Sequence, residues 1–425
     1  MLPPTTPIAR PLGDGLILRS VTSEADVERL AAFNAQIHGD SVENMTRNLI
    51  LRHPASRPKH WLFIDDEAGR VTSSLCLIPW TWRYGSVTLR SGELGIVGTL
   101  PDYRHGKRSL IAVLMERFNE WLDECEYDLS HIQGIPYYYR RYGYDYALPL
   151  EPHLNLELRD VPAAPEDEAQ AFAIRLAGES DVPALNALYD EAARGLDLSA
   201  VRDEATWRYL LAHTADTAME ADTWVITGAD GQLIGYWRVF REGFGEGLIV
   251  SEASQLPHRA AQAALRHLKT LAEQRGKPYI RLAMAANASL ARTAQAWGAR
   301  EAGGYEWQIR IVDVPRFLMR IAPVLAERLA GSPFAGLTET VLLNLYREAY
   351  ALRFEDGTLR SVECVGFTEE GAIKLPPTLL PKLMLGWKDR HALSAAYPDV
   401  RVWGQAGYLL DVLFPPMRSF LYTIY

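Results

Sequence analysis

The stretch from Glu93 to Met115 carries the residue order with the clearest chemical meaning. An apolar strand, Leu94-Gly95-Ile96-Val97-Gly98-Thr99, runs into Pro101-Asp102-Tyr103-Arg104. Then come His105-Gly106-Lys107-Arg108-Ser109 and an apolar helix. A strand that feeds a loop at a helix N-terminus presents free backbone N–H groups and the positive end of the helix dipole. Arg104, Lys107 and Arg108 add three cations, so the segment suits a phosphate-bearing ligand. The alternative is a solvated basic loop. A second element, Pro136 to Tyr144, puts Tyr139 four residues before the turn glycine Gly143, on a short helix that follows a strand. Tyr139 can face the end of such a ligand, whereas Tyr137 and Tyr138 read as core and surface aromatics.

Self-comparison shows what positions these residues. Ile17-Leu18-Arg19 followed by Glu24, Asp26 and Val27 recurs as Ile174-Arg175-Leu176 followed by Glu179, Asp181 and Val182, with the aspartates 155 apart. Gly143 and Gly298 keep that offset, and Pro101 and Pro257 differ by 156. Three anchors at one offset indicate a tandem duplication. Each copy orders a strand, a helix, several strands, a long helix (Arg108 to Glu124, or Ala260 to Gln274), a strand and a short helix. The expected fold is therefore α/β with mixed sheets. Its segments are 1–158, 159–312 and a distinct α+β segment, 313–425, that does not join the repeat. There, Pro315 to Leu329 reads as an amphipathic helix and Asp356-Gly357 as a hairpin turn. Pro376 to Trp387 and Tyr408 to Leu413 read as helical. The apolar tail Phe420 to Tyr425 would be a liability if exposed, so it is expected in a groove.

Composition excludes several classes. The chain of 425 residues carries 44 basic and 53 acidic side chains, a net charge of −9, which disfavours nucleic acid and favours cationic partners. No apolar run is long enough to span a membrane. The proline-rich amino terminus does not read as a signal peptide. Cys76, Cys125 and Cys364 lack metal-ligand spacing and fit a reducing, cytoplasmic setting without disulfides. Oligomeric order stays open, a homo-oligomer included. His38 and His60 are isolated. Trp80 and Trp82 share a strand face and could either wall a pocket or pack the core.

Together, the strand-Pro-x-Tyr-Arg-loop-helix segment and the downstream Tyr-x-Arg-x-Gly-Tyr resemble the GNAT superfamily of acyl-CoA-dependent N-acetyltransferases. The tandem copies with a final domain similar to sterol carrier proteins resemble one branch, the enhanced-intracellular-survival type of aminoglycoside acetyltransferase. The resemblance implies direct acetyl transfer from acetyl-CoA, a cosubstrate, to a small-molecule amine, with no metal. It lays the pantetheine arm along Val97, Gly98 and Thr99. It puts the pyrophosphate around Arg104, His105, Gly106, Lys107, Arg108 and Ser109. Lys107 and Ser109 stand where the family has small residues. Tyr139 becomes the acid that protonates the leaving thiolate.

A primary ammonium with a pKa of about 10.4 must also lose a proton. In the resembling branch the C-terminal carboxylate, here that of Tyr425, reaches the first copy's site. Glu93 is a second candidate base, with a solvated strand-end carboxylate as its alternative. The second copy has no glycine between Leu248 and Arg275 and places Ala294 at the Tyr139 position. It is expected to be a non-catalytic scaffold. A non-enzymatic protein with a lipid-binding last domain is the competing expectation.

Overall fold

The computed structural model describes residues 7–104 and 109–425. The first segment opens with the hairpin β1 (Ala9–Gly13) and β2 (Leu16–Ser20), followed by helices α1 (Glu24–His38) and α2 (Ser41–Leu51). Strands β3 (Trp61–Asp65), β4 (Val71–Tyr84) and β5 (Val87–Thr99) precede α3 (Leu110–Glu124), β6 (Leu129–Ile132) and β7 (Asp145–Leu150). Ser23 starts α1 through a reciprocal capping box with Asp26, and the helix buries Val27, Leu30, Ala31 and Phe33. The Ser109 hydroxyl caps α3, which buries Leu110, Leu114, Phe118 and Leu122 against the opposite face of the sheet.

The second segment runs β8 (His153–Glu157), α4 (Glu168–Ala171), β9 (Phe172–Leu176), α5 (Val182–Arg194), β10 (Leu198–Ala200) and α6 (Glu204–Ala212). It continues with β11 (Ala221–Gly228), β12 (Leu233–Phe240), β13 (Leu248–Ala253), α7 (His258–Gln274), β14 (Tyr279–Ala283), α8 (Ser289–Ala296), β15 (Arg300–Glu301) and β16 (Tyr305–Ile311). Helix α9 (Val314–Ala330) leads into the last segment, with strands β17 (Glu339–Asn344), β18 (Ala349–Glu355), β19 (Thr358–Gly366), β20 (Ile373–Lys374) and β21 (Arg401–Val402). Asp356 and Gly357, both at positive φ, close the β18–β19 hairpin with the turn that their types demand. The helical stretch expected over Pro376 to Trp387 is shorter, a 3₁₀ turn and then α10 (Leu380–Met384). Its prolines at 376, 377 and 381 interrupt the hydrogen-bonding ladder.

The sheets cross the sequence segments. The first sheet has the order β1-β2-β3-β4-β5-β6-β16-β7, and the second β15-β8-β14-β13-β12-β11-β9. Strand β8, at the end of the first segment, thus completes the second sheet beside β14. Strand β16, at the end of the second, lies between β6 and β7 of the first. A boundary at 158/159 follows the chain but not its pairing. At the crossing, a Cβ on Gly304 would lie 2.8 Å from Pro152 Cα, so only glycine lets the two backbones pass.

The last segment docks on the first. The Tyr84 hydroxyl donates to the Met384 carbonyl at 2.7 Å and receives Arg328 Nη1 at 3.1 Å. The apolar tail is buried, with Phe420, Leu421, Tyr422 and Ile424 each at most 6% exposed. Its strand β22 (Ser419–Phe420) runs parallel to β10, and β10 pairs in turn with Trp82–Tyr84 of β4. The tail is therefore a strand addition to the first sheet, made through a strand of the second segment.

Exchanged strands couple the two repeats, since neither sheet is complete without the other segment. Urea unfolding of the chain followed by tryptophan fluorescence and by far-ultraviolet circular dichroism should show one shared midpoint for the two repeats. Two transitions, with residues 1–158 unfolding alone, would contradict the exchange.

Candidate active site

The site forms where two parallel strands part. Strands β5 and β6 are paired only over Ser91–Glu93 and Leu129–His131. Past Glu93, β5 has no ladder partner on its β6 side. On its other side, two residues of β5, Ile96 and Val97, oppose the single Leu75 of β4, a bulge that holds Ile96 at φ 45°. A β-branched residue there is strained, and the bulge bends β5 away from the ladder. The opening is a groove of about 460 Å³. Ile37 of α1 lines it from one face of the sheet, and Leu110 and Ile111 of α3 from the other.

Val97, Gly98, Thr99, Arg104, Ser109 and Tyr139 line this one groove. Arg104 Nε donates to the Thr99 carbonyl at 3.0 Å, which fixes the guanidinium beside the start of α3. His105, Gly106, Lys107 and Arg108 lie outside the described residues. Arg141 also lines the groove. It belongs to the Tyr-x-Arg-x-Gly-Tyr motif, but its direction depends on the turn and cannot be read from the local spacing.

Tyr139 sits on the 3₁₀ helix Tyr138–Tyr142, which enters through Tyr137 at φ 68° and leaves through Gly143 at φ 85°. Its ring lies where a Cβ on Gly134 would come within 2.4 Å, so Gly134 makes room for it. Burial, with neighbouring tyrosines, pushes its phenol well above the usual range. The group stays protonated at neutral pH. It packs with the α3-side cluster.

Glu93 points to the other face, since its neighbour Leu94 joins the α3-side cluster and side chains alternate along a strand. It is 2% exposed, a buried carboxyl and not a solvated strand end. Trp80 Nε1 donates to its Oε2 at 2.8 Å, and the Tyr425 phenol to its Oε1 at 2.7 Å. Burial pushes its pKa up to about 7, while these two donors hold it down. His131, paired with Glu93 across the ladder, stands 4.0 Å away. Its Nδ1 is 2.8 Å from the Ser91 hydroxyl, Trp80, Trp82 and Trp307 surround its ring, and burial lowers its pKa to about 3. It is a neutral imidazole. Trp80 and Trp82 are core residues, and Trp80 also serves the carboxyl.

Tyr425 meets Glu93 with its phenol; the Tyr425 main-chain oxygen accepts from the Thr423 hydroxyl at 2.8 Å. The Tyr425 side chain and His131 are functional candidates that become visible only in the folded chain. The signal for both was thin: one aromatic at the chain's end and one histidine on a short strand. Among the described residues no group of three His, Cys, Asp or Glu side chains converges to hold a metal, and no helix is long and apolar enough to cross a membrane.

A carboxyl whose pKa rises from 4.5 unfolded to about 7 folded binds its proton more tightly in the native state. Its contribution is full below pH 4.5 and is lost as pH rises through about 7. The unfolding free energy of the parent chain should therefore fall by about 3 kcal/mol relative to Glu93→Gln between acid pH and about pH 8. Denaturant titrations at a series of pH values check this; parallel curves would contradict a buried, perturbed carboxyl.

Residues 19–147 match the family model described as an acetyltransferase (GNAT) domain. No curated protein matches the chain. Among solved structures, a conserved protein of Enterococcus faecalis titled a probable N-acyltransferase is 14% identical, with TM-score 0.71, and the match covers 96% of this chain and 100% of that one. A GCN5-related N-acetyltransferase from Anabaena variabilis is 16% identical, with TM-score 0.68 over 96% and 99% of the two chains. Eis1 from Mycobacterium abscessus is 19% identical, with TM-score 0.62 over 96% and 100%. The match over β2 to β7 covers the groove and the Tyr139 helix, so residues 19–147 form a domain similar to GNAT acetyltransferase domains, and the full-length likeness shows that the chain as a whole shares the fold of these N-acyltransferase structures and of Eis1.

Proposed function

We propose that the protein is an acetyl-CoA-dependent N-acetyltransferase that acts on a small, cationic amine by direct transfer. The observation that carries this reading is the groove through the parted strands, with Tyr139 on one face and the Glu93–Tyr425 pair on the other. Acetyl-CoA supplies the acetyl group as an activated thioester. The unpaired edge of β5 at Val97, Gly98 and Thr99 offers backbone groups to the amides of an extended arm. Arg104, Ser109 and the N-terminus of α3 suit the pyrophosphate, and the loop His105 to Arg108 belongs to the same proposal.

In the reaction the amine nitrogen bonds to the acetyl carbon while the carbon–sulfur bond breaks. The Tyr139 phenol, protonated at neutral pH, gives its proton to the departing thiolate. The amine's proton passes to the Tyr425–Glu93 pair, whose carboxyl with a pKa of about 7 is matched to that task. A base this close to neutrality is half ionised at working pH and still strong enough to accept. The Tyr425 main-chain carboxylate is the other acceptor, and the net charge of −9 favours a cationic substrate.

Arg104→Ala removes a charge-assisted phosphate contact worth on the order of 1.5–3 kcal/mol, so the acetyl-CoA dissociation constant should rise tenfold or more. Unchanged affinity would put the pyrophosphate elsewhere. Tyr139→Phe should cut turnover by about 10²–10⁴ with acetyl-CoA affinity retained. Amidation of the Tyr425 carboxylate compared with Glu93→Gln identifies the base. Full activity in the amidated chain and loss in Glu93→Gln assign it to Glu93; the reverse assigns it to the carboxylate.

A further inference from the structure

We propose that the second repeat acts as the dock for the catalytic tail, with Arg202 as the positioning residue that sets Tyr425 on Glu93. The inference rests on the Glu93–Tyr425 reading above. Arg202 has a fully buried side chain, packed in the corner between the Tyr189 ring at 4.4 Å and the Trp207 ring at 4.9 Å, two rings set edge to face. Its Nη1 and Nη2 bind Glu252 Oε1 and Oε2 at 2.7 and 2.6 Å, and Glu252 also takes the Tyr236 hydroxyl at 2.6 Å. Arg202 Nε then donates to the Thr423 carbonyl at 3.0 Å. The charge pair is not needed for stability alone, since well-packed apolar residues commonly replace such pairs without loss. What the pair supplies is direction: a planar guanidinium locked on three sides offers its remaining edge to one carbonyl.

Each carbonyl of the last three residues has a donor. Thr423 is held by Arg202, Ile424 by His53 Nε2 at 3.1 Å, and Tyr425 by the Thr423 hydroxyl at 2.8 Å. His53 Nδ1 accepts from the Ser56 N–H at 3.1 Å, so Nε2 carries the hydrogen, and burial keeps the ring neutral with a pKa of about 4. The second repeat thus grips the tail at Thr423 and the first at Ile424. Upstream, the β10–β22 ladder sets the register. The second repeat has lost the glycine loop and the tyrosine of the first, yet it carries the deepest-buried charge pair on the tail's path. Its retained contribution is placement.

The test follows the Glu93 carboxyl by infrared titration of the full chain without substrate, together with kcat and the acetyl-CoA dissociation constant. Glu93 is faced by Tyr425 from the tail, His131 from β6 and Cys76 from β4. The Tyr425 phenol lowers the Glu93 pKa, so Tyr425→Phe should shift its titration upward. Arg202→Met should produce the same upward shift and lower kcat roughly 10–100-fold with acetyl-CoA affinity within twofold. The double variant should be no worse than the poorer single one. An Arg202→Met chain that keeps the parent titration and kcat while only its melting temperature falls overturns the proposal, as does an additive double variant. If Arg202→Met does not fold, Arg202→Lys keeps the charge on Glu252 but not the fork that reaches both partners. It should show the shift in part, and a parent-like titration there is equally contrary. If Tyr425→Phe itself leaves Glu93 unmoved, the reading of the Glu93–Tyr425 pair fails first.

Discussion

A single hydrogen bond, from the Tyr425 phenol to the Glu93 carboxyl, spans 332 residues of sequence and ties the end of the chain to the first sheet. An unpartnered carboxylate at that depth would be strongly disfavoured as an anion. Two donors, Trp80 Nε1 and the phenol, offset enough of that cost to leave the group near neutrality. The balance holds only while the tail stays seated. Much of the architecture can be understood as what seats it: β4 carries Trp80 and also pairs with β10, and β10 receives β22. The last segment fixes the rest of that path, because Tyr84, two residues past Trp82 on β4, is clamped to Met384 and Arg328.

Strand exchange explains how the first two segments become one folded unit. The parting of β5 and β6 leaves room for a ligand, but a sheet that opens at its centre needs support beyond the opening. Strand β16 provides it by pairing with both β6 and β7. In the second sheet the corresponding neighbour of β14 is β8, again a strand from the other segment. The reciprocal loan buries a contiguous core across the two segments.

The fold was legible wherever one chemical rule acts locally. The Ser23 capping box, the Asp356-Gly357 turn and the alternation of β4 and β5 announce their elements. The groove residues Val97 to Thr99, Arg104, Ser109 and Tyr139 were legible for the same reason: a strand, loop and helix start in sequence must lie together in space. Contacts made by topology were not. Nothing in the local pattern of Tyr305 to Ile311 says which sheet it joins, because a strand's periodicity fixes its faces and not its partners. The segment Leu198 to Ala200 is too short to signal a strand, although it joins β22 to β4 within the first sheet. Glu93 looked like a strand-end carboxylate because its two partners come from β4 and from the last residue. His131 became visible only once β5 and β6 were in register.

The central proposal is a single acetyl-CoA site, in the groove of the first segment. Isothermal titration of the full chain with acetyl-CoA tests this most directly, since stoichiometry counts sites without reference to the acceptor amine. One mole bound per mole of chain, with micromolar affinity, is the predicted result; no binding, or two moles per chain, would contradict it.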